Sequence, residues 1–383
     1  MYPHFYDGKL TNKNIFWFLI NTFDLVTAIY LNKPKKFTQL LITMPAVASS
    51  PQCVSSMSDH IFPITYSTLA PQALVERVLS RYAVGEISSC VFWMRGLSDI
   101  YLVETSDHRY VLRVSHAHWR SKTEIEFELE LLAFLHKNYI PVAHPLSTQD
   151  GQLAIEISAL EGKRYASLFT YAAGKIAVGD LNKVQAQRLG ETLAKLHNAT
   201  QDFQCHANRP HLTINHLLDD SLRDLSPFLN DAALLYMNEA IAQIKEQIDH
   251  LPQTCPIWCV CWGDPHSGNV HFTENDDITL FDFDQCGYGW RSFDIAKFLQ
   301  VTLQAGISPS VRKAFLDGYQ LAQPLEDIEL KCLQPLMQVA HIWSWAISVK
   351  SAIVHNQSKL DNSYFHYRLE HFKMLRSPDW KPF

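Results

Sequence analysis

The segment that decides the fold is Cys261–Phe298, which reads CWGDPHSGNVHFTENDDITLFDFDQCGYGWRSFDIAKF. Two short apolar runs each lead into polar residues. The first run, which begins just before this segment, leads to Asp264 and Asn269, and the second leads to Asp282, thirteen residues after Asn269. Mg²⁺ takes hard oxygen ligands and few protein contacts, and phosphoryl transfer needs a separate aspartate to align the attacking hydroxyl. We therefore predict Asp264 as the catalytic base, and Asn269 and Asp282 as metal ligands.

In order and spacing, these residues resemble the motifs of the aminoglycoside phosphotransferase/choline kinase family, which has a protein-kinase-like fold. The family pattern is His-Gly-Asp-x-His-x-x-Asn, then a hydrophobic residue with Asp-Phe-Asp, a glycine, and Tyr/Phe-Asp-Leu/Ile-Ala. The last elements read here as Gly287, Gly289 and Phe293–Ala296. One position departs from the pattern, because Trp262 replaces the histidine two residues before the base. In the family this histidine supports the loop, so Trp262 either preserves the packing or lowers turnover.

The resemblance runs from about Phe62 to the C-terminal helices and is nearest to the branch of homoserine kinase-like and bacterial stress-response kinase-like members. The segments that carry it, besides the motifs above, are Phe62–Leu69, Tyr110–Val114 and Leu189–His197. It implies ATP and Mg²⁺ as cofactors and a hydroxyl group as phosphate acceptor. Four small-molecule acceptors stay open, namely homoserine-like, sugar, aminoglycoside and choline-like compounds. A Ser/Thr protein kinase and a nucleotide-binding pseudokinase scaffold are the alternatives.

The periodicity of the chain predicts the same α+β architecture. A helix (Ala70–Tyr82) precedes strands and a helix that starts with a capping box of Ser121 and Glu124. We predict strands at Cys90–Met94, Ile100–Glu104, Tyr110–Val114 and Gln152–Ser158. After residue 158 the pattern is mainly helical, interrupted by a strand pair, Ile257–Trp262 and Ile278–Phe283. We therefore expect two lobes, a small sheet-rich N-lobe over 58–158 and a larger helical C-lobe over 159–383.

The nucleotide site is predicted from the N-lobe strands. Gly96 and Ser98 lie between the first two strands, where the family places its nucleotide-covering loop, although an ordinary hairpin turn fits these residues equally well. Arg113 stands where kinases carry a phosphate-binding lysine, and Glu128 on the next helix is its expected partner. Glu124 and Glu126 are alternative partners, and a solvated acidic helix face is another interpretation of these glutamates.

Several other residues have two interpretations. His266 contacts the metal site or shapes the turn, and Asp284 binds a second metal or caps the next turn. We expect Asp294 to stabilise the catalytic loop and His197 to be a core residue. Trp343 and Trp345 line an acceptor pocket or pack in a buried helix, and we favour packing. The cluster Cys255, Cys259 and Cys261 resembles a zinc site, but alternation with Trp258, Val260 and Trp262 favours a buried strand.

Residues 1–57 differ from the rest of the chain. They carry a charge of +3 and the remainder −9, which sum to the net −6 of the 383 residues. Ile15–Leu31 is apolar but interrupted by Asn21 and Asp24, so this extension is an over-extended start or a disordered tail, with a membrane or export signal as the alternative. The acidic net charge argues against general nucleic-acid binding. We expect a cytoplasmic protein without nucleic-acid or membrane partners, and the sequence leaves the oligomeric state open.

Overall fold

The computed structural model describes residues 64–177, 181–355, 360–377 and 383. The extension 1–57, its apolar segment Ile15–Leu31, and Phe62–Pro63 of the resembling stretch all lie outside these ranges. Among the described residues, no helix combines the length and the apolarity needed to cross a membrane.

The N-terminal part of the described chain is an antiparallel sheet of five strands in the order β1-β2-β3-β5-β4. The strands are β1 (Ser89–Arg95), β2 (Ser98–Glu104), β3 (Arg109–Ser115), β4 (Ile155–Ala159) and β5 (Gly162–Thr170). A short helix, α1 (Pro71–Arg77), and one 3₁₀ turn occupy the segment predicted as a single helix. The first three predicted strands are confirmed, and each is two residues longer than expected. The predicted lobe boundary at 158/159 precedes β5, which hydrogen bonds nevertheless place inside this sheet.

Helix α2 (Lys122–Lys137) connects the sheet to the rest of the molecule. Its predicted capping box is present, since the Ser121 side chain accepts from the Glu124 amide and the Glu124 carboxylate accepts from the Ser121 amide. The apolar face of α2 belongs to the large C-terminal hydrophobic cluster, whereas the sheet has a smaller cluster of its own. Helix α2 is therefore anchored in the C-lobe core while its buried Glu128 faces the sheet.

The C-terminal part is mainly helical, as predicted. Its helices are α3 (Lys183–Ala199), a π-helical turn (Asn215–Asp220), α4 (Ser221–Leu225), α5 (Asp231–Ile248), α6 (Arg291–Gln304), α7 (Pro309–Ala322), α8 (Asp327–Lys331), α9 (Leu333–Val354) and α10 (Asn362–Leu375). Helices α3 and α7 pack so closely that a Cβ on Gly190 would lie 2.0 Å from the Phe315 carbonyl oxygen. Together with the N-terminal sheet, this arrangement is the predicted α+β bilobal fold.

Two small two-stranded sheets interrupt the helices and hold the polar motifs. Strand β6 (Trp258–Cys261) pairs with β9 (Gly287–Trp290), and β7 (Val270–Phe272) pairs with β8 (Ile278–Leu280). The predicted pairing of Ile257–Trp262 with Ile278–Phe283 is therefore wrong. The second strand ends early because Asp282 takes a left-handed φ of 59°, which a strand does not accommodate.

Candidate active site

The loop that carries Asp264 is hydrogen-bonded to Asp294 in the first turn of helix α6. The amides of Trp262 and Gly263 donate to the Asp294 carboxylate at 2.7 and 2.8 Å, and His197 lies 2.9 Å from the same group. Gly263 has a φ of 88°, and a Cβ there would lie 2.1 Å from the Gln285 carbonyl oxygen, so only glycine fits this turn. The structural roles predicted for Asp294 and for the fully buried His197 are confirmed.

The Asp264 carboxylate is held on both of its oxygens. The Lys297 ammonium lies 3.1 Å from Oδ1, and the Gln285 amide donates to Oδ2 at 2.9 Å. His266 Nε2 is 3.6 Å from Oδ2, and the His266 Nδ1 accepts from the Gly268 amide, so this histidine both approaches Asp264 and shapes the turn. Burial alone would raise the pKa of Asp264, but the charges of Lys297 and His266 hold it well below its usual range. Asp264 is therefore a carboxylate at neutral pH.

Hydrogen bonds connect Asn269 and the turn at Asp282 to this loop. The Asn269 amide donates to the Asp264 carbonyl oxygen at 3.1 Å, which leaves its own side-chain oxygen for another partner. The Phe281 amide donates to the Asn269 carbonyl at 3.0 Å and so ties the end of β8 to the loop. Asp282 follows directly, in its left-handed conformation. Such strained non-glycine residues occur most often at functional sites.

Trp262, which departs from the family pattern, supports this strained turn. Its side chain is fully buried, and its indole N–H donates to the carbonyl oxygens of Phe281 and Asp282 at 3.2 and 2.9 Å. Its ring also stacks on Phe283. The two alternatives for Trp262 were that it preserves the packing of the loop or that it lowers turnover. This geometry favours the first, because the tryptophan contacts the loop through both its apolar ring and its indole N–H.

The carboxylates around Asp282 fit a divalent cation. Desolvation by the surrounding protein and the neighbouring Asp284 charge raise the pKa of Asp282 to about 7, although Arg113 acts in the opposite direction. Asp282 is itself exposed, so a cation can reach its carboxylate and relieve the repulsion from Asp284. Asp282 and the side-chain oxygen of Asn269 are hard ligands of the kind that Mg²⁺ takes.

Asp284 has partners of its own. Its carboxylate accepts from Trp119 at 3.1 Å and from the Arg120 guanidinium at 3.0 and 3.3 Å. Burial would raise its pKa, but Arg120 and Arg209 lower it to about 2. Both of its oxygens are thus held by protein donors, and neither a second metal nor a helix cap is needed to account for this residue.

The predicted nucleotide residues fall into two groups. Arg113 and Glu128 form a bidentate ion pair at 2.6 and 2.9 Å between β3 and α2. Glu124 instead contacts Arg120 at 3.3 Å, and Glu126 pairs with Lys122 at 3.5 Å, so neither alternative partner reaches Arg113.

Gly96 lies in a tight turn between β1 and β2, and its amide donates to the Ser98 carbonyl at 3.0 Å. Below this turn, the buried Asp99 pairs with Arg95 and Arg164, each at 2.9 Å. Within the described residues, no hydrogen bond links Gly96 or Ser98 to Asp264 or to the predicted metal ligands.

Only two of the three cysteines considered as zinc ligands, Cys259 and Cys261, lie close together. In the described part of the chain, His197, Cys259 and Cys261 have ligand atoms within 4.8 Å of one another. Both His197 nitrogens already have partners, Tyr319 at 2.8 Å and Asp294 at 2.9 Å. Cys255 is exposed and contacts Gln201, so the three cysteines of the sequence cluster do not converge. Buried strand packing, as favoured from the sequence, accounts for Cys259 and Cys261.

Four side chains of the site were missed by the sequence reasoning, namely Lys297, Gln285, Arg120 and Arg209. Lys297 lies three residues after Asp294 on α6, so the helical period places both on one face toward the loop. That spacing was the available signal. Trp343 and Trp345 have different surroundings. The Trp343 indole donates to Gln285 Oε1 at 3.1 Å, whereas Trp345 packs in the core beside Phe365.

The site combines an arginine on a strand, paired with a glutamate on a helix, with a loop aspartate and the Asp-Phe-Asp turn that follows it. Together with a sheet joined to a helical lobe, these features define a kinase-like phosphotransferase. Comparison with known proteins agrees. The model of the phosphotransferase enzyme family matches residues 95–330. The chain belongs to this family and is a kinase with an alcohol group as phosphate acceptor.

Relatives are found in several bacteria. The chain is 51% identical to an uncharacterised protein of Synechocystis sp., over 90% of this chain and 95% of the relative. It is 28% identical to a homoserine kinase of Neisseria meningitidis, over 68% of this chain and 83% of that enzyme. Among solved structures, an amicoumacin kinase in complex with AMP-PNP, Ca²⁺ and Ami aligns with a TM-score of 0.68 and 19% identity, covering 81% of this chain and 93% of that one. This structural likeness supports the predicted protein-kinase-like fold.

Proposed function

We propose that this protein transfers the γ-phosphate of ATP, in the presence of Mg²⁺, to a hydroxyl group of a small molecule. The observation that carries this proposal is the Asp264 carboxylate, kept ionised by Lys297 and fixed by Gln285, on a loop bonded to Asn269 and to the Asp282 turn. The relatives add support, since their names include kinases of small molecules, and one solved neighbour was captured with an ATP analogue and a divalent cation.

Each side chain has a role that its environment supports. Asp264 accepts a hydrogen bond from the acceptor hydroxyl and so aims its oxygen at the phosphate. Its low pKa makes it a weak base, which suits phosphoryl transfer, because the loose transition state requires positioning more than early proton removal. Arg113, oriented by Glu128, contacts the nucleotide phosphates, and backbone amides near Gly96 and Ser98 cover them.

Asn269 and Asp282 would hold the Mg²⁺, with His266 and Asp284 shaping the surrounding loop. When bound, this ion would neutralise charge on the phosphate oxygens. The protein's own contribution is to keep both ligands in place. The Asp264 carbonyl fixes the Asn269 amide, and Trp262 fixes the backbone of Asp282.

The test is ATP consumption coupled to product detection across a panel of hydroxyl-bearing small molecules, with autophosphorylation and protein substrates followed in parallel. We expect Asp264→Asn and Asp282→Ala to abolish transfer while thermal unfolding stays cooperative. Asp317→Asn is the matched control, because Asp317 forms an exposed pair with Lys313 on α7. Unchanged turnover in both site variants would refute the proposal. Transfer to protein serine or threonine only would replace the small-molecule acceptor with a protein.

A further inference from the structure

Two histidines outside the catalytic loop contact each other across the two lobes. His116 follows β3 in the N-lobe and is 1% exposed, and its Nδ1 lies 3.0 Å from Nε2 of His355. His355 is the C-cap residue of α9 in the C-lobe. The two rings meet edge to face, with their centres 4.5 Å apart. This contact therefore joins the sheet of one lobe to a helix of the other.

His116 lies at the base of the turn that we expect to cover the nucleotide. Ser115, the residue before it, pairs with Ser98 in the register of β3 and β2. Asp99, the next residue of β2, is fully buried, and its Oδ1 lies 3.9 Å from His116 Nε2. The Arg95 guanidinium donates to the same Oδ1 at 2.9 Å, so an ion pair closes the β1–β2 turn beside this histidine. Movement of His116 would therefore move the turn.

The neighbours of the two histidines decide which of their nitrogens carry protons. The Ser351 carbonyl oxygen lies 2.8 Å from His355 Nδ1, and since a carbonyl only accepts, this nitrogen is a donor. In a neutral His355, Nε2 then accepts from the Nδ1–H of His116. Among the described residues, His116 Nε2 has no hydrogen-bond partner, and it faces the Asp99 carboxylate. A proton on this nitrogen is attracted by that charge, whereas a lone pair there is repelled.

The contact is therefore complete in one protonation state. With one extra proton, His116 is a cation that donates to His355 and faces Asp99. Loss of that proton leaves a lone pair against a carboxylate. Gain of a second proton makes His355 Nε2 a donor, so that two N–H groups oppose each other. Burial and the charge of His116 lower the pKa of His355, which moves this second protonation to more acidic pH.

The other ionisable groups that the described residues place around the pair do not change this balance. Tyr66 packs against both imidazole rings, at 4.7 and 5.7 Å between ring centres. Burial raises the pKa of Tyr66 well above its usual range, so its hydroxyl stays neutral. The charged groups form ion pairs with one another, and they are Arg95, Asp99, Glu161 and Arg164. Since their charges sum to zero, the protons of the two histidines set the net charge of the cluster.

Helix α9 connects the histidine pair to the catalytic loop. On this helix Ser344 accepts from Lys297, which holds the Asp264 carboxylate. His355 follows Ser344 by eleven residues, about 17 Å along the helix axis. One helix therefore contacts both the support of the catalytic aspartate and the base of the β1–β2 turn.

We infer that the singly protonated His116–His355 pair is a latch between the lobes, which holds the β1–β2 turn at a fixed distance from Asp264 and so positions the nucleotide phosphates. The inference rests on the proposed function. It adds two positioning residues, neither of which touches the reacting atoms, and a dependence of nucleotide affinity on pH.

The first test is the KM for ATP. His355→Phe keeps an aromatic ring but removes the acceptor, so the KM should rise about tenfold, the lower end of what a hydrogen bond to a charged group contributes. The kcat at saturating ATP should change by less than about twofold, because bound nucleotide then holds the turn. His355→Gln should recover most of the affinity, since its side-chain oxygen accepts from His116. His366→Phe, at an exposed histidine of α10, is the matched control and should change neither constant.

The second test is the pH dependence of the same constant. In the wild type, the KM for ATP should rise toward acidic pH, where His355 gains its proton and the latch opens. This rise should be smaller in His355→Gln, which has no proton to gain. Titration of ATP itself affects both proteins equally, so the difference between the two profiles reports the latch. Identical acid limbs in the two proteins would overturn the inference.

Two outcomes of the first test would also overturn it: an unchanged KM for ATP in a folded His355→Phe protein, or an equal rise in His355→Phe and His355→Gln. If His355→Phe does not unfold cooperatively, the pH comparison with His355→Gln decides. If no acceptor is phosphorylated, the proposed function fails, and hydrogen exchange tests the latch separately. Amides at 95–99 of the unliganded protein should exchange faster in His355→Phe than in the wild type or His366→Phe. Equal exchange in all three proteins would show that the pair does not hold the turn.

Discussion

Lys297 is the side chain whose removal best tests the reasoning about the catalytic loop. It lies on α6, is 3% exposed, and contacts Asp264 Oδ1 at 3.1 Å, with Ser344 as its other partner. In Lys297→Met, the Asp264 carboxylate keeps Gln285 and His266 but loses its nearest full cation. The substitution therefore changes the charge beside the base while the apolar stem of the side chain still fills the space.

The expected magnitude follows from this geometry. Two unit charges 3.1 Å apart attract by about 5 kcal/mol at an effective dielectric constant near 20. Breaking a buried pair costs roughly 3–5 kcal/mol, and we expect the lower end, about 3 kcal/mol of unfolding free energy, because Gln285 and His266 remain. A less restrained Asp264 should also lower kcat by up to about a hundredfold.

The direction in which the pH profile shifts shows whether Lys297 holds the Asp264 carboxylate or only stabilises the fold. Lys297 lowers the pKa of Asp264, so its removal raises that pKa, and the carboxylate is protonated at a higher pH. The acid limb of the kcat/KM profile should therefore move to higher pH in Lys297→Met and stay near the wild-type position in Lys297→Arg.

The assay is ATP turnover from pH 3 to 9, which reaches the low pH range where Asp264 titrates, with urea unfolding measured on the same samples. Lys313→Met is the matched control, since Lys313 forms an exposed pair with Asp317 and should change unfolding by less than about 1 kcal/mol. A Lys297→Met protein that is less stable but keeps the wild-type kcat and acid limb would refute the role in holding Asp264.

Three further predictions concern the frame of the site. Trp262→Phe should lower the unfolding free energy by about 1–3 kcal/mol, because the carbonyls of Phe281 and Asp282 lose a donor, and urea titration measures this. Gly190→Ala should destabilise by about 1–3 kcal/mol or more, since the new Cβ meets the Phe315 carbonyl, and a calorimetric midpoint equal to that of Gly96→Ala, where the space is open, would contradict the packing. In Asp99→Asn the loss should be largest at neutral pH. Burial raises the pKa of Asp99, but the nearby His116 and the Arg95 and Arg164 guanidinium groups, which donate to it at 2.9 Å, hold that pKa well below its usual range. The stabilisation from Asp99 is therefore present above the unfolded pKa of about 3.9. That stabilisation disappears as the pH falls through the lower folded value, and a wild-type–variant difference that is constant between pH 7 and 3 would disprove it.

Local features were predictable from the sequence because local interactions determine them. The capping box at Ser121 and the alternation in β2 and β3 involve neighbours within a few residues. The spacing of Asp264 and Asn269 belongs to the same class, since a single loop holds both. The approximate ends of these elements then followed from the sequence.

Contacts between residues that are far apart in the sequence were not predictable. Arg209 and Arg120 reach Asp284 from loops 75 and 164 residues away in sequence, and no periodicity indicates such contacts. Trp343 and Trp345 have equally apolar surroundings in sequence, yet only the first meets Gln285. The pairing of β6 with β9 likewise depends on where the turn at Asp282 sends the chain.

The Arg113–Glu128 pair has a consequence for control of the enzyme. Glu128 lies on α2, and six apolar residues of that helix belong to the C-lobe cluster: Ile125, Phe127, Leu129, Leu131, Leu132 and Leu135. Exposing them would cost on the order of 9–18 kcal/mol, at about 1.5–3 kcal/mol for each side chain. A switch that swings this helix outward to break the ion pair would need more energy than the one to three new hydrogen bonds of a phosphorylation event supply. The Arg113–Glu128 pair is therefore tied to the C-lobe core, and its geometry should persist for as long as that core stays folded.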